Sequence, residues 1–368
     1  MKQIILLMVL ILLSGSITFA QKFSSIEAAL KKREIAKTLT IRVSGKEYAV
    51  LMDSICLLRN LEKFSIVNTK QTKLPQCIGN LKNLTHLDLR SNRLITLPES
   101  IGQLKKVSYL NLANNKLVTL PNSLGEMKSL LWINADGNKL KTLPVSISKL
   151  EQLKTLYIGG NQLETIPDHI SELVNLELLS IDDNPITSLP NSIMNLKKLE
   201  TLLVFNTLLT QLPSNIGDLK TLKRLKIDNN QLKELPESLC KLYQLESLEL
   251  PDNQLRELPK YFTQLYNLKL LLIQDNQLEK LPESFGDLRQ LEQLYLSSNQ
   301  LTELPKSFVH LQNLISLSLG NNQLVTVPKE LYKLKQLRVL IFGKNEMPEA
   351  EIEALQKALP SCQIILMD

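Results

Sequence analysis

Leu84 to Lys106 reads LTHLDLRSNRLITLPESIGQLKK, and the residues on either side of it repeat its frame with a step of 23. Pro98, which follows Leu97, is one member of a ladder from Pro75 to Pro328. Each proline in the ladder comes after Leu, Ile or Val, and twelve of the 16 prolines in the chain belong to it. A second ladder keeps the same step: Asn92, Asn115, Asn138, Asn161, Asn184, Asn230, Asn253, Asn276, Asn299, Asn322 and Asn345. The two slots that fit this register without asparagine hold Thr69 and Thr207. A fixed period of this length marks stacked supersecondary units, none of which can bury its apolar face alone.

Each residue choice within the unit has a physical reason. Leu87 and Leu89 alternate with polar neighbours, the period of a short strand with one face inward. The asparagine follows where the chain bends away from the strand. There an amide supplies both donors and acceptors to buried backbone, and threonine meets part of that demand. The Leu-Pro step fixes φ on the far side, and Ile101, Leu104 and Val107 resume the core from the outer wall. The 81 leucines among 368 residues are the cost of that shared core.

The unit resembles the leucine-rich repeat, LxxLxLxxNxL with a variable second half, and the resemblance is strong over 61–345. Its Leu-Pro class is similar to secreted bacterial repeat proteins and to scribble-type and Ras-pathway scaffolds. The resemblance implies an α/β solenoid: a curved horseshoe with a parallel concave sheet and an irregular or short-helical convex side. It also implies a binding module for proteins or peptides without a catalytic domain attached. About 13 or 14 strands at roughly 4.8 Å spacing give an inner face about 60 to 65 Å long.

The ends depart from the repeat. Lys2 and ten apolar residues, Ile4 to Leu13, precede Thr18-Phe19-Ala20, so 1–20 reads as a cleavable secretory signal. Ten residues cover about 15 Å of a hydrocarbon core about 30 Å thick, and the mature chain has no other apolar run of spanning length. Residues 21–60 read as an amino-terminal cap and degenerate first repeat. Ile26, Ala29, Leu30 and Ile35 lie at helical spacing over 24–37, and Leu39, Ile41, Ser44, Ile55, Leu58 and Leu61 stand at core positions. Residues 346–368 form a closing cap around Ile352, Leu355 and Leu359. The expected location is exported, whether periplasmic, cell-surface or secreted; the alternative is a cytoplasmic signalling scaffold that keeps its leader.

Outward-facing strand residues fall six, four and two positions before each asparagine slot, which allows the concave face to be read directly. Tyr109, Trp132, Tyr157, Leu178, Leu203 and Phe205 lie on five consecutive strands and form the candidate partner-binding patch, with Tyr295 near Leu270 and Leu272 as a weaker second cluster. Exposed aromatics, including the sole tryptophan, have the composition of interface hot spots. The competing reading is that they only cover neighbouring sheet. Asp136, Asp182, Asp183, Asp228, Glu249, Asp252 and Asp275 read as a solvated rim rather than an edge selecting a basic partner. Carbohydrate binding or surface adhesion is the alternative function, since aromatic faces also stack on sugars.

No cofactor, metal site or catalytic residue is expected. His86 falls on the concave face, while His169 and His310 fall on convex halves several coils apart, so no two share a metal or a proton. The phosphate-cradling and nucleophile-elbow glycine motifs are absent. With 43 basic and 37 acidic side chains, the balance is too even for a nucleic-acid footprint. Cys56 and Cys77 occupy nearly equivalent convex positions of adjacent coils and are the candidate disulfide; buried free thiols are the alternative.

Overall fold

A computed structural model describes residues 22–41 and 52–366; the leader 1–20 and Ser44 lie outside the described residues. The chain divides into two compact units, one running to Leu163 and the other beginning at Glu164. Each is a stack of coils in which one short parallel strand per coil pairs with the strand of the next. In the first unit Lys63, His86, Tyr109, Trp132 and Thr155 stand side by side in register, 23 residues apart. In the second unit the same register runs from Leu178 through Thr201, Arg224, Ser247, Leu270, Gln293 and Ser316 to Val339.

Among the described residues there are sixteen strands. The repeats supply thirteen of them, and the other three, Lys22–Phe23, Thr38–Ile41 and Gln363–Ile365, belong to the ends. The strands outnumber the expected 13 or 14 because both ends contribute their own. The entrance helix α1 spans Ile26–Lys31, capped by the Ser25 hydroxyl accepting from the Ala28 amide at 3.1 Å. It is shorter than the 24–37 helix that spacing suggests, and Ile35 is 53% exposed rather than buried. The chain turns after Lys32 to reach the strand at Thr38, so Ala36 takes the core position instead. At the other end Pro348 precedes α2, Glu349–Ala358, which buries Leu355; Gln363–Ile365 then pairs with Val339–Ile341. No helix among the described residues is long and apolar enough to cross a membrane.

The bends follow from hydrogen-bond chemistry. The Asn115 amide donates to the Leu89 carbonyl of the previous coil (3.0 Å) and to Leu112 of its own (2.9 Å), while its oxygen accepts from the Leu94 amide at 3.1 Å. Asn138 repeats this with Leu112, Ala135 and Leu117. Thr69, lacking an amide, donates its hydroxyl to Asn92 Oδ1 at 2.9 Å, and Thr207 does the same toward Asn230. On the opposite wall each Leu-Pro step leads into a 3₁₀ turn, as Pro98 (φ −70°) does into Glu99–Gln103. Gly102 closes that turn against the next coil, where an added Cβ would run into the Ser123 carbonyl.

Candidate functional site

Strand alternation turns Leu110, Ile133 and Leu156 fully into the core of the first unit. Tyr109, Trp132 and Tyr157 therefore face outward, each half-buried. Register then sets their contacts. Tyr109 and Trp132 are directly opposite on adjacent strands, and their rings stack with centroids 4.2 Å apart and planes 3° from parallel. Tyr157 leans on Trp132 at 6.0 Å, tilted by 58°. His86 extends the run from the other end, stacked on Tyr109 at 5.7 Å.

Four rings thus form one ladder in which Tyr109 and Trp132 each have an aromatic neighbour on either side. Polar groups fix it from below. Asn111 donates to the Tyr109 hydroxyl at 3.2 Å, and the Asp136 carboxylate accepts from the Gly159 amide at 2.7 Å. Burial, then the nearby Asp136 charge, pushes the Tyr157 phenol above its ordinary value.

Sequence reading identified Tyr109, Trp132 and Tyr157 but set His86 aside after testing it only as a metal ligand or catalyst. The signal was present, since His86 holds the same column position as the two rings that follow it.

In the second unit Leu178, Leu203 and Phe205 are also half-buried on the outward face. The residue missed there is Lys226, whose ammonium lies 4.2 Å from the Phe205 ring centroid. Lys226 also approaches Asp228 (3.6 Å) and Glu249 (3.9 Å), and Arg224 binds Glu249 at 2.8 Å. Glu249 is only 6% exposed, so it acts as the buried anchor of this charged cluster rather than as part of a rim. Burial raises the Asp182 and Asp228 carboxyls above the ordinary value despite the Ser180 hydroxyl beside the first and Lys226 beside the second. Tyr295 stands apart, its hydroxyl 3.3 Å from Ser316 Oγ.

Cys56 and Cys77 are joined by a disulfide, with Cα atoms 5.7 Å apart, whereas Cys240 and Cys362 are free and buried.

The model of the leucine-rich repeat region matches residues 15–136 and 236–365, and leucine-rich-repeat models also match 151–209 and 221–242. The chain belongs to the leucine-rich-repeat family. Proteins of this fold are commonly protein-binding modules and typically non-catalytic. A leucine-rich-repeat protein of Leptospira interrogans is 32% identical, with 95% of this chain and 100% of that one covered and a TM-score of 0.78. An internalin of Listeria monocytogenes, 21% identical over 87% of this chain and 94% of its own, shares the fold with a TM-score of 0.75. The PEPR1–AtPEP1 complex is similar at 27% identity over 85% of this chain and 46% of that one, with a TM-score of 0.74. No curated protein matches the chain.

Proposed function

We propose that the chain is an exported, non-catalytic recognition module that takes a protein or peptide on the ladder of Tyr109, Trp132 and Tyr157. The observation that carries this reading is the ladder itself: large, half-exposed rings on a sheet face, held rigid by stacking and by Asn111. Rigid aromatics lose little conformational freedom on binding, which is why they anchor interfaces. Leu178, Leu203 and Phe205, and separately Tyr295, are further candidate contacts. The similar PEPR1–AtPEP1 structure is itself a complex, which supports a binding role for this fold.

Sugar binding has less support, because a pyranose needs a free ring face and Tyr109 and Trp132 stack their facing rings on each other. Export is supported by the signal-like segment 1–20, by the bacterial internalin among similar structures, and by the Cys56–Cys77 disulfide, a bond that persists in oxidising compartments. In this reading 21–60 and 346–368 are caps of the repeats at 61–345.

The test is capture from native surface and periplasmic extracts on the immobilised protein, beside a Trp132→Ala, Tyr157→Ala variant whose circular dichroism matches the parent. The expected result is a partner held by the parent and lost by the variant; equal retention on both would contradict the assignment.

A further inference from the structure

His86 closes the ladder at its amino-terminal end, and its hydrogen bonding fixes the tautomer of its neutral ring. Its Nδ1 lies 2.9 Å from the Thr85 hydroxyl, which is also 3.0 Å from the Glu62 carbonyl oxygen. A carbonyl can only accept, so the single hydroxyl proton goes to Glu62 and the Thr85 oxygen accepts from Nδ1–H. The neutral ring therefore leaves Nε2 as a bare lone pair, and nothing among the described residues hydrogen-bonds it. Lys63 stands directly opposite His86 on the preceding strand, exposed, with no carboxylate among the described residues at ion-pair distance.

The other charged and titratable groups around the ring are engaged elsewhere. Asp88, two residues along the same face, pairs with Arg90 at 3.5 Å; the Glu62 carboxylate pairs with Lys37 at 2.9 Å; and the Tyr109 hydroxyl accepts from Asn111. Among the described residues, the end of the ladder thus holds one cation without an ion-pair partner, beside a ring that becomes a second cation by gaining a proton at Nε2.

We propose that Lys63 and His86 receive the side-chain carboxylate of an Asp or Glu in a protein segment lying on the ladder, with Nε2 taking up a proton from solvent as the carboxylate docks. This rests on the ladder being the binding site. Burial, and then the Lys63 charge, hold the free ring below the ordinary histidine value, so unbound His86 is neutral at pH 7. A docked carboxylate favours the imidazolium and raises that value. Affinity is then greatest below the free-state value, falls as pH rises from there to the bound-state value, and levels off above it. An Asp or Glu on the partner stays ionised through this window.

The experiment selects peptides from a displayed random library on the immobilised protein at about pH 5.5. It then follows their binding to the parent and each variant by fluorescence anisotropy of the labelled peptides at about pH 5.5 and about pH 8. Expected are peptides lost on Trp132→Ala, enriched in Asp or Glu, and weaker by about tenfold at the higher pH. His86→Gln should flatten that pH dependence, and Lys63→Ala should weaken binding at both pH values, with the circular dichroism of each variant unchanged. Ladder-dependent peptides without acidic enrichment, or a pH dependence that survives His86→Gln, would overturn the inference and leave the ladder as the site. Peptides that bind Trp132→Ala as well as the parent would overturn both.

Discussion

A single side chain carries each bend of this protein. Asn138, 8% exposed, accepts from the Leu117 amide and donates to the Leu112 and Ala135 carbonyls, which the Asn115 and Asn161 amides also reach. Asn138→Ala should therefore destabilise the protein by about 1 to 3 kcal/mol in denaturant unfolding, the cost of leaving the buried Leu117 amide unpaired. Asn138→Thr should cost less, since Thr69 and Thr207 occupy the same slot and engage the next asparagine through one hydroxyl. A cost for Asn138→Ala no larger than that of an exposed substitution would contradict the hydrogen-bond account. The asparagine ladder is plain in the sequence because it is periodic.

Its upstream neighbour is less plain. Ser91, Asn114, Gly137, Gly160, Asp183, Asn206 and Asn229 all adopt positive φ, between 49° and 63°. Only residue types that tolerate the left-handed region fill this column at low cost, a rule that reads as mixed polar residues until the bend is seen.

Contact between successive coils is decided on the outer wall, where residues 21 apart meet. Gly79, Gly102 and Gly125 abut the backbone of Ser100, Ser123 and Ser146, and the Cys56–Cys77 disulfide fills the same contact one coil earlier. Gly102→Ala should lower stability by about 1 to 3 kcal/mol, because the clash is with backbone rather than with a movable side chain. A thermal unfolding midpoint equal to the parent's would show that the coils can part without cost. Replacing Cys56 and Cys77 by serine should cost about 3 kcal/mol or less, the closure entropy of a loop of 21 residues, again read from denaturant unfolding.

On the inner wall Asp228 follows the opposite rule from an ordinary paired carboxylate. Burial raises its folded-state value, so the folded chain holds the proton more tightly and stability falls as pH rises through the window above 3.8. Asp228→Asn should be neutral or stabilising at pH 7, and the gain should vanish at about pH 3. A loss of stability at pH 7 would mean that the Lys226 contact outweighs burial.

Across the whole chain, each unit gains its stability from neighbouring coils sharing a leucine core, and the binding surface is a by-product of register. The period revealed the coils, the inward leucines and the outward positions of Tyr109, Trp132 and Tyr157. What remained hidden were properties that depend on distance rather than order: His86 stacking on Tyr109, Lys226 turning onto Phe205, and Glu249 sinking beneath Arg224. The first strand, Lys22–Phe23, was also hard to read, because capping sequences obey packing needs rather than the repeat.

The central claim is that a partner covers the aromatic ladder, and Trp132 is the only tryptophan in the chain. Acrylamide quenching of its emission, measured with and without the captured partner, tests this most directly. Protection of Trp132 on binding, abolished in Tyr109→Ala, is the expected result; full partner occupancy with unchanged quenching would contradict it.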